Sequence, residues 1–327
     1  MLRHLLVINM QGMSGNLTSS KNAAAASALP NLEKTGFCRK IARAVSDSPL
    51  FASNRKLYEE NLNNWNFPLS KIQKLRVGSY LILRDYGDGL FPPTFTDQQS
   101  AYAAEIDYHL NLPGMEADNV SDVQLRKPFW HGFPVRKYLT DFIKLTLALE
   151  HCGIRPPQRV LELGCGGGWM AEFLGLMKYS VLGTSIAPHD IGSGQKRMDS
   201  LKAKGVEVDI GFRVAPMETV ADATRDLDPF DAVFVFEALH HAFDWRKSVD
   251  SSFACLKPGG WFLICNEPNW LHTFISYRVA KLSKTHEIGF VRRDIIEHLK
   301  RTGFRNIEIL EKSPRFGYKP HWIVAQK

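Results

Sequence analysis

Short apolar runs alternate with longer amphipathic segments between residues 159 and 265, and this alternation constrains the fold more than any other feature. The apolar runs are residues 159–163, 180–184, 231–236 and 261–265. The segments with helical spacing lie at about residues 168–177, 190–203 and 242–256. Because strand, helix and strand in succession close as a right-handed crossover, the pattern predicts parallel strands in a doubly wound α/β sheet.

The flanking segments add further predicted elements. Helical spacing of apolar side chains predicts helices at about residues 97–111, in the segment VRKYLTDFIKLTLALEHCG before the first strand, which Gly153 ends, and at 292–302. The segments NIEILE and HWIVAQ that follow predict a hairpin at the sheet edge. Three parts are therefore predicted: a mobile tail at residues 1–35, an N-terminal extension and possible substrate cap at 36–134, and the α/β domain at 135–327.

The composition, with 44% hydrophobic and 23% charged residues, is that of a globular protein. The five cysteines include no CxxC pair, so neither a disulfide scaffold nor a zinc knuckle is indicated. No apolar stretch reaches the roughly 18 residues that a membrane span needs. We therefore expect a soluble, cytoplasmic protein without a membrane span.

The loop after the first predicted strand carries the strongest chemical signal. It reads Glu162-Leu163-Gly164-Cys165-Gly166-Gly167-Gly168-Trp169. Glycines let the backbone approach a ligand closely and leave the N–H groups at the start of the next helix free to donate. Glycines also serve tight turns, but four of them beside a strand-end glutamate favour a nucleotide-type ligand. Trp169 occupies the third small position of a dinucleotide fingerprint, which argues against a nicotinamide or flavin dinucleotide.

Four segments follow one another over residues 159–268: VLELGCGGGW, VLGTSIAP, FDAVFVFEALHHAFD and LKPGGWFLICNEP. In this order and spacing they resemble the class I S-adenosylmethionine-dependent methyltransferases of the small-molecule type. The resemblance implies a mostly parallel seven-stranded sheet in the order 3-2-1-4-5-7-6, with an antiparallel last strand. It also implies S-adenosylmethionine as the cofactor and a small molecule as the methyl acceptor.

The resemblance assigns roles to individual positions. The cofactor-binding residues that it implies are Glu162, Gly164, Cys165, Gly166, Gly168, Ser185, Ile186, Met217, Glu218, Phe236 and Glu237. Glu162 would face the ammonium group of the cofactor, and the backbone N–H groups at Gly164, Cys165 and Gly166 would face its carboxylate. Phe236 and Glu237 would lie near the sulfonium.

Two positions depart from the family's pattern. Ser185 stands where an acidic residue usually accepts both ribose hydroxyls, and a serine adds no charge. Pro216 stands where an acid often lies near the adenine amino group. Met217 could pack on the adenine, and Glu218 or Asp190 could substitute for the missing acids. Each unmet hydrogen bond would cost about 1–3 kcal/mol, which predicts weaker cofactor binding.

His240 and His241 follow the fourth predicted strand, where the acceptor should meet the methyl group. One of them could act as a general base if the acceptor is a hydroxyl or a carbon acid. Alternatively, the pair only caps the following helix or shapes the cofactor pocket. Because neighbouring residues on a helix face apart and no partner stands at ligand spacing, we expect no metal site.

The acceptor pocket must come from segments outside the core sheet. Trp130 and His131 precede the long helix before the first strand, and Trp270 lies in an insertion after the fifth strand. These three residues are the predicted substrate pocket, although both segments could instead be ordinary core packing.

The sequence as a whole favours S-adenosylmethionine-dependent methyl transfer to an oxygen, nitrogen or carbon atom of an unidentified small molecule, governed by proximity and orientation. Ser185 and Pro216 keep open a non-catalytic domain that binds cofactor or a partner. Nucleic-acid methylation is the least favoured reading. The chain lacks the Asn/Asp-Pro-Pro-aromatic tetrapeptide, and the basic side chains of residues 271–327 are interleaved with acidic ones, so no nucleic-acid partner is expected.

Overall fold

The computed structural model describes residues 29–62, 64, 67–92, 97–111, 124–129, 135–287, 289–311 and 320–327. At its centre is a seven-stranded sheet in the order β3-β2-β1-β4-β5-β7-β6. The strands are β1 Arg159–Leu163, β2 Ser180–Ser185, β3 Ile210–Val214, β4 Phe230–Phe236, β5 Leu256–Glu267, β6 Arg305–Ile309 and β7 His321–Gln326.

Strands β1 to β5 pair in parallel, whereas β7 pairs antiparallel with both β5 and β6. The predicted sheet order and antiparallel last strand are therefore confirmed. Each of the four predicted apolar runs lies inside an observed strand. The edge strand β3 was not among them, because Gly211 and Arg213 interrupt its apolar residues and its side chains are half-buried or exposed.

Helices cover both faces of the sheet, as the doubly wound prediction requires. The α-helices of four residues or more within the described residues are α1 Leu29–Asp47, α2 Ala52–Glu59, α3 Lys71–Asp88, α4 Gln98–Leu110, α5 Val135–His151, α6 Trp169–Leu176, α7 Pro188–Ala203, α8 Val220–Ala223, α9 Trp245–Cys255, α10 His272–Ser283 and α11 Arg292–Thr302. Leu145 of α5 and Leu174 of α6 belong to one buried cluster, and Val249 of α9 and Leu299 of α11 belong to another. Alternate strand residues join the two clusters, so the clusters lie on opposite faces.

A third hydrophobic cluster lies outside the sheet, where α3 packs against α10. The contact is so close that a Cβ on Gly78 would lie 1.8 Å from the carbonyl oxygen of Phe274. The Tyr277 hydroxyl donates to Asp85 at 3.0 Å, and Lys281 forms an ion pair with the same carboxylate. Helix α3 of the N-terminal extension thus packs against both α1 and α10, the helix of the insertion after β5. We call α1–α4 together with α10 the cap.

One boundary differs from the sequence predictions. Helix α1 begins at Leu29, so residues 29–35 lie in a helix and not in the predicted tail. Residues 1–28, the rest of that predicted tail, lie outside the described residues. Within the described parts of the chain, no helix is long and apolar enough to cross a membrane.

Candidate active site

A cavity of about 280 Å³ opens at the carboxyl ends of β1, β2 and β4. Doubly wound sheets bind ligands at this edge, because the strand connections diverge there. The predicted site residues that line the cavity are Glu162, Gly164, Cys165, Gly166, Ser185, Ile186, Met217, Glu218, Phe236, Glu237 and His241. Gly168, His240 and Trp270 are not among the lining residues. Trp130 and His131 lie outside the described residues.

The glycine turn has a left-handed backbone at Gly164, Gly166 and Gly168, with φ values of 65°, 50° and 72°. A Cβ at Gly164 would lie 2.8 Å from Met217 Cε, and one at Gly168 would lie 2.6 Å from the Phe212 ring. Packing therefore requires glycine at both positions. At Gly166, by contrast, the nearest described atom beyond the chain neighbours would be 3.8 Å from the Cβ. Gly166 is thus the point at which the turn stays open toward the cavity.

Glu162 lies next to the end of β1 and is 4% exposed. It accepts a hydrogen bond from the Ala171 backbone N–H, whereas its Oε2 has no hydrogen-bond partner among the described residues. Burial raises the pKa of Glu162 to about 8. A buried carboxyl oxygen without a partner in a cavity wall is a site for a positively charged ligand group.

One predicted backbone donor of the turn is already engaged. The N–H of Cys165 donates to the Thr184 carbonyl oxygen at 2.8 Å. This bond ties the turn to β2, so the prediction that the Cys165 N–H faces the cofactor carboxylate is wrong. Cys165 still lines the cavity through other atoms.

Ser185, at the end of β2, contacts a carboxylate from the helix that follows, α7. Its hydroxyl donates to Oδ2 of the buried Asp190 at 2.9 Å, and His109 Nδ1 lies 3.2 Å from the same oxygen. Burial would raise the pKa of Asp190, but the hydrogen bond and charge of His109 outweigh it and lower that pKa. Asp190 Oδ1 accepts no hydrogen bond from any described residue. Asp190 therefore lies in the cavity wall beside Ser185, and its role as a substitute acid stays a prediction.

Two other predicted cofactor residues already have partners. Glu218 accepts from the Tyr102 hydroxyl at 2.9 Å and from the Asp244 backbone N–H at 3.0 Å. Glu237 Oε1 lies 2.9 Å from Lys137 Nζ. Both acids line the cavity, and their partners hold them against its walls.

The histidine pair lies in a 3-10 turn after β4. The ring centres of His240 and His241 are 4.1 Å apart, so the expectation that the two imidazoles face apart is wrong. The reason is that a buried carboxylate holds each ring: Glu267 Oε2 lies 2.9 Å from His240 Nδ1, and Glu105 Oε2 lies 2.9 Å from His241 Nδ1. The pair does not cap the next helix, because the Asp244 carboxylate accepts two backbone N–H groups there.

Of this pair, His241 lines the cavity. Its Nε2 lies 3.6 Å from Glu287 Oε1, and its ring packs 5.9 Å from the ring of Tyr108. Burial would lower the pKa of His241, but the carboxylates of Glu105 and Glu287 raise it to about 9. A protonated imidazole cannot accept a proton, so the predicted role as general base requires the neutral ring. That role stays a prediction.

A family model described as a methyltransferase domain matches residues 87–309. The chain belongs to the class I S-adenosylmethionine-dependent methyltransferases. A solved methyltransferase of the same fold, the magnesium protoporphyrin IX methyltransferase of Synechocystis PCC 6803 with bound SAH, is 15% identical. It superposes with a TM-score of 0.50 over 69% of this chain and 99% of that one.

Curated relatives of this methyltransferase match it over part of their length. It is 33% identical over 119 residues to the ubiquinone biosynthesis O-methyltransferase of Bordetella bronchiseptica, covering 36% of this chain and 46% of that protein. It is 31% identical over 153 residues to the protein of the same name from Chromobacterium violaceum, covering 46% of this chain and 62% of that protein. The chain thus spans roughly half the length of these relatives.

The cap of this methyltransferase supplies cavity residues that the sequence did not predict. Those from α4 are Tyr102, Glu105, Ile106, Tyr108 and His109. Tyr102, Glu105, Ile106 and His109 have the spacing i, i+3, i+4 and i+7, which places them on one face of the helix. This spacing was the sequence signal that could have indicated a shared surface. Trp270, which was predicted to line the pocket, packs against Phe274 in the cap, and the described cavity does not reach it.

The family uses S-adenosylmethionine, and the atoms in the cavity wall fit that compound. The buried Oε2 of Glu162 matches an ammonium group, and the turn at Gly166 has space for close approach. Asp190 Oδ1 offers a charged acceptor of the kind that a ribose hydroxyl needs.

Proposed function

We propose that this methyltransferase transfers the methyl group of S-adenosylmethionine to a hydroxyl oxygen of a small molecule bound in the cavity. The observation that carries the proposal is the unpartnered Oε2 of Glu162 beside a glycine turn that stays open at Gly166. A buried carboxylate is stable when a cation pairs with it, and the ammonium group of the methyl donor is such a cation. The curated relatives are named O-methyltransferases, which supports oxygen as the acceptor atom.

The cofactor would be held along the ends of β1 and β2. Glu162 would bind the ammonium group, and backbone N–H groups near Gly166 would bind the carboxylate. Asp190, oriented by Ser185, would accept from the ribose hydroxyls. Met217, which lines the cavity after β3, would pack on the adenine.

When bound, S-adenosylmethionine supplies a methyl group that is already electrophilic, so the protein mainly aligns the reactants and excludes water. Helix α4 would exclude water, because Tyr102 and His109 fasten it to Glu218 and Asp190 of the core. His241 would orient the acceptor hydroxyl and, in its neutral form, accept at Nε2 the proton that the hydroxyl loses as the new oxygen–carbon bond forms and the carbon–sulfur bond of the donor breaks.

A matched acceptor panel tests the proposal. The intact chain is incubated with a donor that carries an isotopically labelled methyl group and with phenols, anilines and thiophenols of the same ring pattern. We expect the label on oxygen, detected by mass spectrometry. Label found only on nitrogen, sulfur or carbon would overturn the choice of oxygen, and failure to retain the donor in equilibrium dialysis would overturn the proposal as a whole.

The prediction of a cytoplasmic protein that acts on a small molecule, and not on a nucleic acid, belongs to the same proposal. Cell fractionation should place the chain in the cytoplasmic fraction. Methylation of added RNA or DNA in the same labelled-donor assay would contradict this part.

A further inference from the structure

Three metal-binding side chains meet at the wall of the cavity near the end of β4. His240 and His241 lie in the turn after β4, and Glu287 lies in the loop after α10. One ligand atom from each lies within 4.8 Å of the others. Two imidazoles and one carboxylate at this spacing are a donor set that binds divalent transition metals.

Each histidine is backed by a buried carboxylate on the ring nitrogen that a metal would leave free. His240 Nδ1 pairs with Glu267, which is fully buried, and His241 Nδ1 pairs with Glu105, which is 6% exposed. Metal-ligating histidines nearly always donate their second ring N–H to such a group, which fixes the tautomer and turns the other nitrogen toward the ion. This arrangement leaves Nε2 of both rings for a cation.

The carboxylates behind the histidines are themselves held in place. Glu267 accepts backbone N–H groups of Ala238 and Leu239 at 2.7 and 2.8 Å, so it fixes the turn that carries both histidines. Glu105 accepts the His286 backbone N–H at 2.7 Å. The two supports come from opposite sides, Glu267 from β5 of the core and Glu105 from α4 of the cap. The ligands are therefore positioned before any ion arrives, as a built site requires.

The charge of the cluster also favours a cation. Glu105, Glu267 and Glu287 are all buried, and carboxylates are rarely buried without a positive partner or a metal ion. Without an ion, the imidazoles of His240, His241 and His272 are the positive partners of these carboxylates when protonated. A divalent ion between two imidazoles and Glu287 would supply that positive charge instead.

A second group of possible ligands, formed by His109, His189 and Asp190, lacks these features. There, the third side chain, Asp190, is itself the carboxylate that both histidines face: its Oδ2 lies 3.2 Å from His109 Nδ1, and its Oδ1 lies 3.5 Å from His189 Nε2. Neither histidine of that group has a buried carboxylate of its own behind it in the described structure. It therefore serves as a matched control for the first group.

We propose that His240, His241 and Glu287 bind a divalent transition-metal ion, such as Zn²⁺, Mn²⁺ or Fe²⁺, at the acceptor end of the cavity. Two nitrogen ligands disfavour Mg²⁺ and Ca²⁺, which prefer oxygen. His241 and Glu287 line the cavity, so a ligand in an open coordination position would lie inside it. If the proposed function holds, that ligand is the acceptor hydroxyl. The ion would lower the pKa of this hydroxyl, its proton would pass to solvent water, and His241 would then hold the ion at Nε2 in place of accepting the proton.

Cobalt binding tests the site without any turnover. The full chain is stripped with a chelator, dialysed and titrated with Co²⁺, whose visible absorption reports nitrogen and oxygen ligation, while calorimetry gives stoichiometry and affinity. We expect one ion per chain. We also expect His241→Ala and Glu287→Gln to weaken binding at least about a hundredfold, Glu105→Gln to weaken it about 10–100-fold, and the control His189→Ala to leave it unchanged. Circular dichroism and thermal melts establish that each variant folds.

Two results would overturn the site: no stoichiometric Co²⁺ binding by the wild-type chain, or equal binding by the wild-type chain and a folded Glu287→Gln variant. Retention of affinity in His241→Ala together with its loss in His189→Ala would move the ion to the second group and also overturn the proposal. The outcome for the proposed function is separate. Co²⁺ binding without any methyl transfer would support the site and contradict the function, whereas full methyl transfer by stripped protein that binds no Co²⁺ would contradict the site alone.

Discussion

The two walls of the cavity differ in how they are built. The core wall, at the ends of β1, β2 and β4, presents the glycine turn around Gly166 and the carboxyl oxygen of Glu162. The cap wall presents side chains of α4 whose partners are distant in sequence: Glu105 and His241 are 136 residues apart. The centre of the core wall is thus the product of one strand-to-helix turn, whereas the cap wall exists only when α4 docks on the core.

Under the proposed function, this difference makes cofactor binding and acceptor handling largely separable, with His109 of α4, which holds the proposed ribose acceptor Asp190, as the link between the walls. Changes in the core wall should act on the affinity for S-adenosylmethionine, while changes in the cap should act on stability and on use of the acceptor. Each of the following variants tests this division between the two walls.

The largest expected effect comes from placing a large side chain in the glycine turn of the core wall. Gly166→Arg places a cationic side chain where the turn stays open, and we expect the affinity for S-adenosylmethionine to fall by about a thousandfold or more, which is about 4 kcal/mol. Gly205→Arg is the matched control, because Gly205 is exposed, has φ of 72° and would place its Cβ in open space. Calorimetric titration of both variants measures the difference. Equal affinities of the two variants for the donor would contradict the assignment of the core wall.

The next effect concerns how the cap is held together. Gly78→Ala would drive a methyl group to within 1.8 Å of the Phe274 carbonyl oxygen, so α3 must move away from α10. We expect the free energy of unfolding to fall by about 3 kcal/mol, since overpacking costs about 1–3 kcal/mol or more. Gly192→Ala, on the exposed face of α7, should instead stabilise the chain by about 0.5–1 kcal/mol. Urea titration compares the two. An unchanged midpoint for Gly78→Ala would show that α3 and α10 are not rigidly packed.

A smaller effect should appear as a pH dependence in the core wall. The pKa of Glu162 is raised to about 8, so its proton must leave before the carboxylate can pair with the ammonium group of the donor. Affinity for S-adenosylmethionine should therefore rise by up to about tenfold per pH unit, or about 30-fold, between about pH 5.5 and about pH 7.0. Glu162→Gln should bind weakly with no such slope. Calorimetry across this range checks both variants, and a parallel slope in Glu162→Gln would contradict the assignment.

The same carboxyl group affects stability in the opposite direction. Because its pKa is higher in the folded chain than the ordinary value of 4.5, the native state holds a proton that the unfolded state releases. The free energy of unfolding of the ligand-free chain should therefore fall as pH rises from about 4.5 to about 8. Loss of this decline in Glu162→Gln would attribute it to the one carboxyl group.

The core wall could be predicted from sequence because its signals are local. Apolar runs located β1, β2, β4 and β5, and the glycines after β1 located the turn within a few residues of Glu162. The cap wall could not be predicted in this way, because no pattern within α4 reveals which core side chain each residue meets. Tyr102 and Glu218 are 116 residues apart, and the packing of α3 on α10 brings together segments nearly 200 residues distant. The joint environment of His240 and His241 was missed for the same reason, since its supports are Glu105 and Glu267.

The smallest expected effect measures how strongly the two walls are joined. Tyr102→Phe removes the hydroxyl that donates to Glu218 across the boundary between cap and core, at 2.9 Å. Tyr86→Phe removes a buried cap hydroxyl that has no hydrogen-bond partner among the described residues, so it is the matched control. We expect Tyr102→Phe to lower the free energy of unfolding by about 1 kcal/mol and Tyr86→Phe to leave it unchanged or slightly raised.

The affinity of the Tyr102→Phe variant for S-adenosylmethionine tests whether the contact between Tyr102 and Glu218 also affects cofactor binding. Glu218 keeps its bond from the Asp244 backbone N–H in Tyr102→Phe, so the core wall retains its shape and donor affinity should change less than about threefold. A much larger loss of donor affinity, without a comparable loss in stability, would mean that the cap wall holds the cofactor directly. The division between a cofactor wall and an acceptor wall would then be wrong, because both walls would bind the same ligand.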